Sequence, residues 1–460
     1  MATTAERAVL GVLQVAVAAA ALAASGAAGQ GAVRGGALPG PLPLFPADNW
    51  WNVDVHQAPV DPNSEAFIQF IGPTRGMHPD FGGGSSPSPE IYGMVYVTVP
   101  GDQALEPMAF DYASESDYGA PGRPPGYPIP VEAKTQSKWI EGGYPGNASV
   151  GGDKHMLVVD RDHRLLFETW NTRCLPAGSP SCSWQAGSGA VFPLDSSTRR
   201  PEGWTSADAA GLAILPGLVR YDEVFGTDPI RHALRVTVRS TNGYVYPASH
   251  TAGSTTGAPP MGMRLRLKAD RDISGFPAEV QRIFQAMKTY GLIVADNGSD
   301  LYVQGTYDTR WDNGVLNPAF ASVKASDFEV VELGWRGPRL HSITPCRLLD
   351  TRGPDGPFGG PALAAGASRS FAVAFGSCGL PSDATGLSLN VTAADATDPG
   401  YATLYPGTGS APPTTTVEFQ PGKNRAVGLV LGLGEGAFSV SSGQTAGSVH
   451  MIVDVNGYFR

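Results

Sequence analysis

Between Asp153 and Trp170 the chain reads DKHMLVVDRDHRLLFETW, and three of these residues have the chemistry of a reaction centre: an imidazole at His155, a carboxylate at Glu168 and an indole at Trp170. An imidazole beside a carboxylate supplies acid/base catalysis, and an indole face stacks on a sugar ring. Whether the three meet depends on register. Two apolar runs of strand length flank DRDHR, the pattern of a β-hairpin. An even loop, Arg161 to Arg164, puts Met156, Val158, Leu165 and Phe167 on one face and His155, Leu157, Val159, Leu166, Glu168 and Trp170 on the other, because strand side chains alternate. A three-residue loop would set Glu168 among Met156 and Val158, where an unpaired carboxylate is costly. The even loop is therefore expected, with its polar face opening into a trough. The competing reading makes His155 and Glu168 an ordinary cross-strand pair.

Glycosidic cleavage needs a second carboxylate, at roughly 5 to 9.5 Å from the first. Asp296, at the end of a short strand in the turn ADNGSD, and Glu223, in VRYDEV, are the candidates, while WIEGG offers Trp139 and Glu141 just before the hairpin. A second hairpin is expected in HALRVTVRSTNGYVYPASH, where Asn242-Gly243 is a two-residue turn. It places Leu234, Val236, Val238 and Val245 on one face and Arg235, Thr237, Arg239, Tyr244, Tyr246 and His250 on the other. Arginines between tyrosines suit an acidic sugar. A lyase would use Arg235 to neutralise a uronate and Tyr246 or His250 as base. The alternative is an exposed sheet face blunted by charge. The loop FDYASESDY (Asp111, Glu115, Asp117) has hard oxygen ligands but matches no spaced calcium motif, and no C-x-x-C is present, so no metal and no cofactor is expected. Ser206 lacks a G-x-S-x-G setting, which argues against a serine hydrolase.

The elements that must carry these residues are mostly strands. The 59 glycines and 40 prolines make about a fifth of the 460 residues, against roughly 12% in ordinary proteins. The expected fold is mainly β: a jelly-roll-like β-sandwich over residues 45–335 with one packed amphipathic helix, followed by a smaller β-sandwich over 340–460. The helix is expected from Pro277 to Tyr290, with Val280, Ile283, Phe284 and Met287 at i, i+3, i+4, i+7 and Gly291 ending it. MRLRLKA should turn Met263, Leu265 and Leu267 inward and Arg264, Arg266 and Lys268 outward. All tryptophans lie at or before Trp335, and the residues beyond are dominated by small ones, which sets the boundary near 336–340.

Residues 1–28 read as a secretory signal peptide: Arg7, an apolar run from Ala8 to Ala24, then small residues. Residues 29–44 read as a flexible linker. Four cysteines in an exported chain fit two disulfides, and pairing Cys174 with Cys182 and Cys346 with Cys378 keeps each within one domain, although other connectivities are open. A net charge of −10 offers no basic surface for nucleic acid, and no membrane contact is expected after signal cleavage. The chain is read as a monomer.

PCRLLDTR (Pro345 to Arg352), LSLNVTA and VDVNGYF (Val453 to Phe459) together resemble an accessory β-domain carried by many exported proteins of soil bacteria. The resemblance implies export and attachment to a surface or polymer, not chemistry. The stretch from about 45 to 333, through ADNWWN, GDKHMLVVDRD, GWTSADAAGL, RHALRVTV and YGLIVADNGSD, is similar to a group of exported bacterial β-sandwich proteins without an established activity. That implies a fold only. The expectation is an exported carbohydrate-active enzyme acting on a polysaccharide or cell-wall glycan as hydrolase or lyase. Its catalytic residues would be Glu168, His155 and Asp296 or Glu223, and its binding residues Trp170, Arg235, Tyr246 and His250. The alternative is a non-catalytic carbohydrate-binding or cell-surface protein.

Overall fold

The computed structural model describes residues 31–82, 88–147, 151–337 and 339–460. The expected signal peptide lies outside them. The chain is mainly β, with 33% strand against 13% helix, and divides into two compact units, one ending at Trp335 and the other spanning Arg336–Arg460.

Two mixed sheets face each other in the first unit. One runs in the order Val33–Arg34, Tyr96–Val99, Met156–Asp160, Leu165–Trp170, Ser188–Pro193; the other runs Phe328–Val330, Arg264–Leu267, Leu292–Asn297, Leu234–Val238, Tyr302–Gln304, His78–Asp80. Leu157, Val159, Leu166 and Phe192 from the first sheet share one core with Leu234, Val236, Leu265 and Val294 from the second. The hairpin has the even loop: Asp160 faces Leu165 and Met156 faces Thr169, with four residues between the strands. The two faces divide accordingly, but both are covered. Met156, Val158 and Phe167 pack into a separate core with Tyr127 and Trp184, beside a small three-stranded sheet.

That double covering accounts for several differences from the expected fold. Val33–Arg34 pairs with Val97 and Thr98, and the Asn52 amide donates to the carbonyls of Leu44, Phe45 and Pro46, so the described part of the 29–44 segment is an edge strand and a docked loop instead of a free linker. The second hairpin does not form. Leu234–Val238 lies inside its sheet with Leu292–Asn297 on one side and Tyr302–Gln304 on the other, leaving no edge for residues 244–250. Asn242 and Tyr244 instead bridge to Ser254 and Met261.

Arg264 and Arg266 do not face solvent either. The segment from Trp50 to Ala58 lies over them, and they donate to its carbonyls: Arg264 to Trp50 O and, at 3.3 Å, Val53 O, Arg266 to Val55 O and, at 2.8 Å, Ala58 O. Covering backbone with no sheet partner must find hydrogen bonds somewhere, and guanidinium groups supply them.

The amphipathic helix spans Ala278–Thr289, and Val280, Ile283, Phe284 and Met287 are fully buried. Two further helices, Ser64–Ile71 and Asn313–Ser322, were not expected. Each has only two or three buried side chains, and the second contains Pro318, so neither shows a long apolar stripe. Among the described residues no helix is long and apolar enough to cross a membrane.

In the second unit a sheet in the order Leu340–Asp350, Ser448–Phe459, Gly386–Ala394, Arg425–Gly432 and a four-stranded antiparallel sheet enclose one core. PCRLLDTR and VDVNGYF lie on adjacent antiparallel strands, and Arg347 pairs with Asp454 across them at 2.9 Å. Disulfides join Cys174 to Cys182 and Cys346 to Cys378.

Candidate functional site

Glu168 and His155 point into the interior between the two sheets of the first unit. Glu168 is fully buried, and its carboxylate accepts the backbone N–H groups of Ile214 (2.8 and 3.0 Å) and Leu215 (2.9 Å). Burial pushes its pKa up to about 7, outweighing those two N–H donors. His155 is 2% exposed. Its Nδ1 lies 2.7 Å from the Glu141 carboxylate and its Nε2 3.1 Å from the Ala207 carbonyl. Both partners accept, so both ring nitrogens carry protons and the ring is an imidazolium. Burial pulls its pKa down, but Glu141 overrides that and raises it to about 9.

The expected trough is therefore a sealed polar layer. The competing reading, a cross-strand pair of His155 with Glu168, does not hold either: the imidazole takes Glu141, from the WIEGG segment, and the carboxylate takes backbone. The sequence could show the alternation but not that a second body of chain, Ala207 to Leu215, would close the polar face.

Arg235 is also fully buried, paired with Asp208 and, at 3.2 Å, with Asp296. It cannot reach a uronate. Glu223, on the helical turn Tyr221–Val224, is held by Arg220 at 2.8 Å and His232 at 3.1 Å, and it lines a separate cavity of ≈ 270 Å³ with both. Tyr246 packs edge-on against Trp50, at 6.2 Å between ring centres, as part of the core surround. These three leave the expected site for different reasons: Arg235 is covered, Glu223 lies at another cavity, and Tyr246 turns to Trp50 because the second hairpin does not form.

Trp170, His250 and Asp296 are brought together. They line a pocket of ≈ 440 Å³, within the usual range of ligand cavities, whose wall also includes Tyr112, Glu115 and Asp153. Six stretches of chain converge there, one of them the start of Ser188–Pro193. The turn after Met108–Phe110 brings Tyr112 and Glu115, and the two ends of the hairpin bring Asp153 and Trp170. The turn at Thr205 to Ala209, the segment around His250 and the end of Leu292–Asn297 complete the wall.

Each group is held. The Trp170 Nε1–H donates to Asp153 Oδ1 at 3.2 Å, and the Asn171 N–H to Asp153 O at 2.7 Å, closing the mouth of the hairpin. Tyr112, about half exposed at 51%, lies 6.2 Å from the Trp170 ring and is tilted 31° to it. A Cβ on Gly187 would come within 2.4 Å of the indole, so glycine lets the backbone pass beneath the ring. Glu115 accepts the Thr205 N–H at 3.1 Å. Asp296 accepts the Asn297 N–H at 2.7 Å and Arg235 on its other oxygen, with its side chain 24% exposed. His250 donates from Nδ1 to Ala209 O at 2.8 Å, which fixes the orientation of the ring.

Behind Asp296, the Asp208 side chain is sealed; burial raises its pKa to about 6 against the opposing pull of Arg235, with Asp296 adding to the rise. The wall thus combines aromatic surface, several carboxylates and one imidazole, an inventory suited to binding a sugar and moving protons around a glycosidic oxygen. Sequence reasoning gave no role at such a site to Tyr112, Glu115 or Asp153. FDYASESDY was visible as an acidic loop, but nothing in it announced that it folds over the open end of a hairpin forty residues away.

Among known proteins, no family model, no curated protein and no solved structure matches the chain.

Proposed function

We propose that the chain is an exported glycoside hydrolase acting on a polysaccharide, with the Trp170 pocket as its reaction centre. The observation that carries the reading is the meeting of Trp170, Asp296 and His250 in one cavity with Glu115 and Asp153. Asp296, fixed by Arg235 and the Asn297 N–H, is the candidate for attack on the sugar carbon or activation of water. Glu115 is the candidate proton donor, with the Tyr112 and Trp170 rings holding the sugar. The two disulfides fit an oxidising compartment, and the second unit's end motifs support a role in attachment to a surface or polymer.

Reducing-end release over a panel of plant, fungal and bacterial glycans tests the reading. An active substrate should be found, and Asp296→Asn should lower kcat at least about 100-fold. Activity that survives both Asp296→Asn and Glu115→Gln would move the centre elsewhere. Binding without release would favour a non-catalytic carbohydrate-binding protein. The exposed Tyr112 ring beside Trp170 gives that reading its own support, since a stacking platform needs no acid.

A further inference from the structure

Apart from the hydroxyl of the half-exposed Tyr112, the side-chain donors on the pocket wall are largely turned inward. Ser188 Oγ donates to Ser206 O at 2.6 Å, Ser206 Oγ to Leu212 O at 2.6 Å and Thr205 Oγ1 to Asp208 O at 3.1 Å. The Trp170 indole is engaged by Asp153, the His250 Nδ1–H by Ala209 O, and an Asn297 amide proton by Ala252 O at 3.0 Å. What the wall offers a ligand is therefore mostly acceptors: the carboxylate oxygens of Glu115, Asp153 and Asp296. Among the described residues no lysine or arginine lines the pocket, and the guanidinium behind it, Arg235, is paired with Asp208 and Asp296 through Nε and Nη2, its Nη1 being buried without a partner.

A neutral sugar presents hydroxyls that both donate and accept, so such a wall would leave many of its oxygens without partners. A uronate would set a carboxylate against carboxylates. An ammonium group has three donors, no acceptor and a positive charge, and the faces of Tyr112 and Trp170 attract cations.

We infer that the pocket recognises a saccharide bearing a free, protonated amine, a unit of a de-N-acetylated hexosamine polymer, with the ammonium seated among Asp153, Asp296 and the two aromatic rings. This rests on the carbohydrate reading of the same pocket and names its substrate class.

Calorimetric titration of the full chain with trimers of glucosamine, N-acetylglucosamine and a uronic acid, equal in length, tests it. The free-amine trimer should bind roughly tenfold tighter or more than either of the others, since it adds charge-assisted hydrogen bonds. The preference should weaken as salt rises. Asp153→Asn, at an exposed position, should remove most of it, whereas Asp272→Asn, an exposed acid elsewhere on the same unit, should leave it intact. That control separates recognition from general attraction of a cation to an acidic protein. Equal or tighter binding of the N-acetylated or acidic trimer overturns this inference and leaves the carbohydrate reading standing. An Asp272→Asn effect as large as that of Asp153→Asn also overturns it. Failure of all three trimers to bind, with no release from any glycan, overturns both.

Discussion

The sealed layer of ionisable groups makes the first unit's stability depend on pH in a direction opposite to ordinary acid denaturation. Glu168 has a folded pKa of about 7 against an ordinary 4.5, Asp208 about 6 against 3.8, and His155 about 9 against 6.5. In each case the folded state binds the proton more tightly than the unfolded chain. The stability each group contributes is therefore complete below its unfolded pKa and is lost as pH rises through its folded one. For Glu168 the window is pH 4.5 to 7, and the loss amounts to roughly 3 kcal/mol, from about 1.4 kcal/mol per pH unit for one proton. Asp208 acts over a slightly lower window and His155 over a higher one. Glu141 and Glu223, whose pKa values are lowered by His155 and Arg220 in spite of burial, oppose this only on the acid side.

Stability should thus peak mildly acidic and fall toward pH 9. Glu168→Gln isolates one step, because glutamine is a neutral mimic of the protonated acid. Between pH 4.5 and 8 the stability of the variant relative to the parent should rise by roughly 3 kcal/mol, whatever their difference at pH 4.5. Urea unfolding followed by tryptophan fluorescence reads the first unit alone, since every tryptophan lies at or before Trp335. Stability-against-pH curves for parent and variant that run parallel would refute the reasoning.

Two further outcomes follow from the packing. Gly187→Ala puts a methyl carbon 2.2 Å from the nearest Trp170 ring atom, where contact needs roughly 3.5 Å, so the indole must swing away from Asp153. Saccharide binding should weaken roughly 3- to 10-fold, the worth of an aromatic contact, and titrations that superimpose on the parent would show that Trp170 is no platform. Arg235→Met strands the sealed Asp208 carboxylate and should cost about 3 to 5 kcal/mol in urea unfolding, whereas a loss within measurement error would mean that Asp208 carries no charge to be balanced.

The hairpin's register was legible because only one loop length kept its apolar residues together, and the Ala278–Thr289 helix because Val280, Ile283, Phe284 and Met287 repeat strictly. Alternation assigns residues to faces, but it does not say which faces are covered. His155 and Glu168 share a face with Trp170, yet Ala207 to Leu215 closes over the first two and leaves the third at the pocket. The same limit applies to Arg235, Arg264 and Arg266. Arginine in a strand reads as solvent-facing until the segment that needs its donors is known, and that segment can lie two hundred residues away, as Trp50 does from Arg264. The Asn242-Gly243 turn misled for a related reason: a local signal competes with whichever strands claim the available edges, and here Leu292–Asn297 and Tyr302–Gln304 held both. The pocket was half legible. Trp170, His250 and Asp296 stood out by residue type, whereas Glu115 and Asp153 gain meaning only from the convergence of distant loops.

Arg266 reaches two main-chain oxygens, on Val55 and Ala58, while its Nε and other terminal nitrogen engage Glu329 Oε1. A lysine ammonium has no planar fork with which to serve three separated acceptors in these directions. Evolutionary drift at this position should accordingly be arrested even though the residue is remote from the pocket. Among divergent descendants of this chain, a change at 266 is expected to arrive only with a rebuilt 50–58 segment, so that the two would be inherited as a single block.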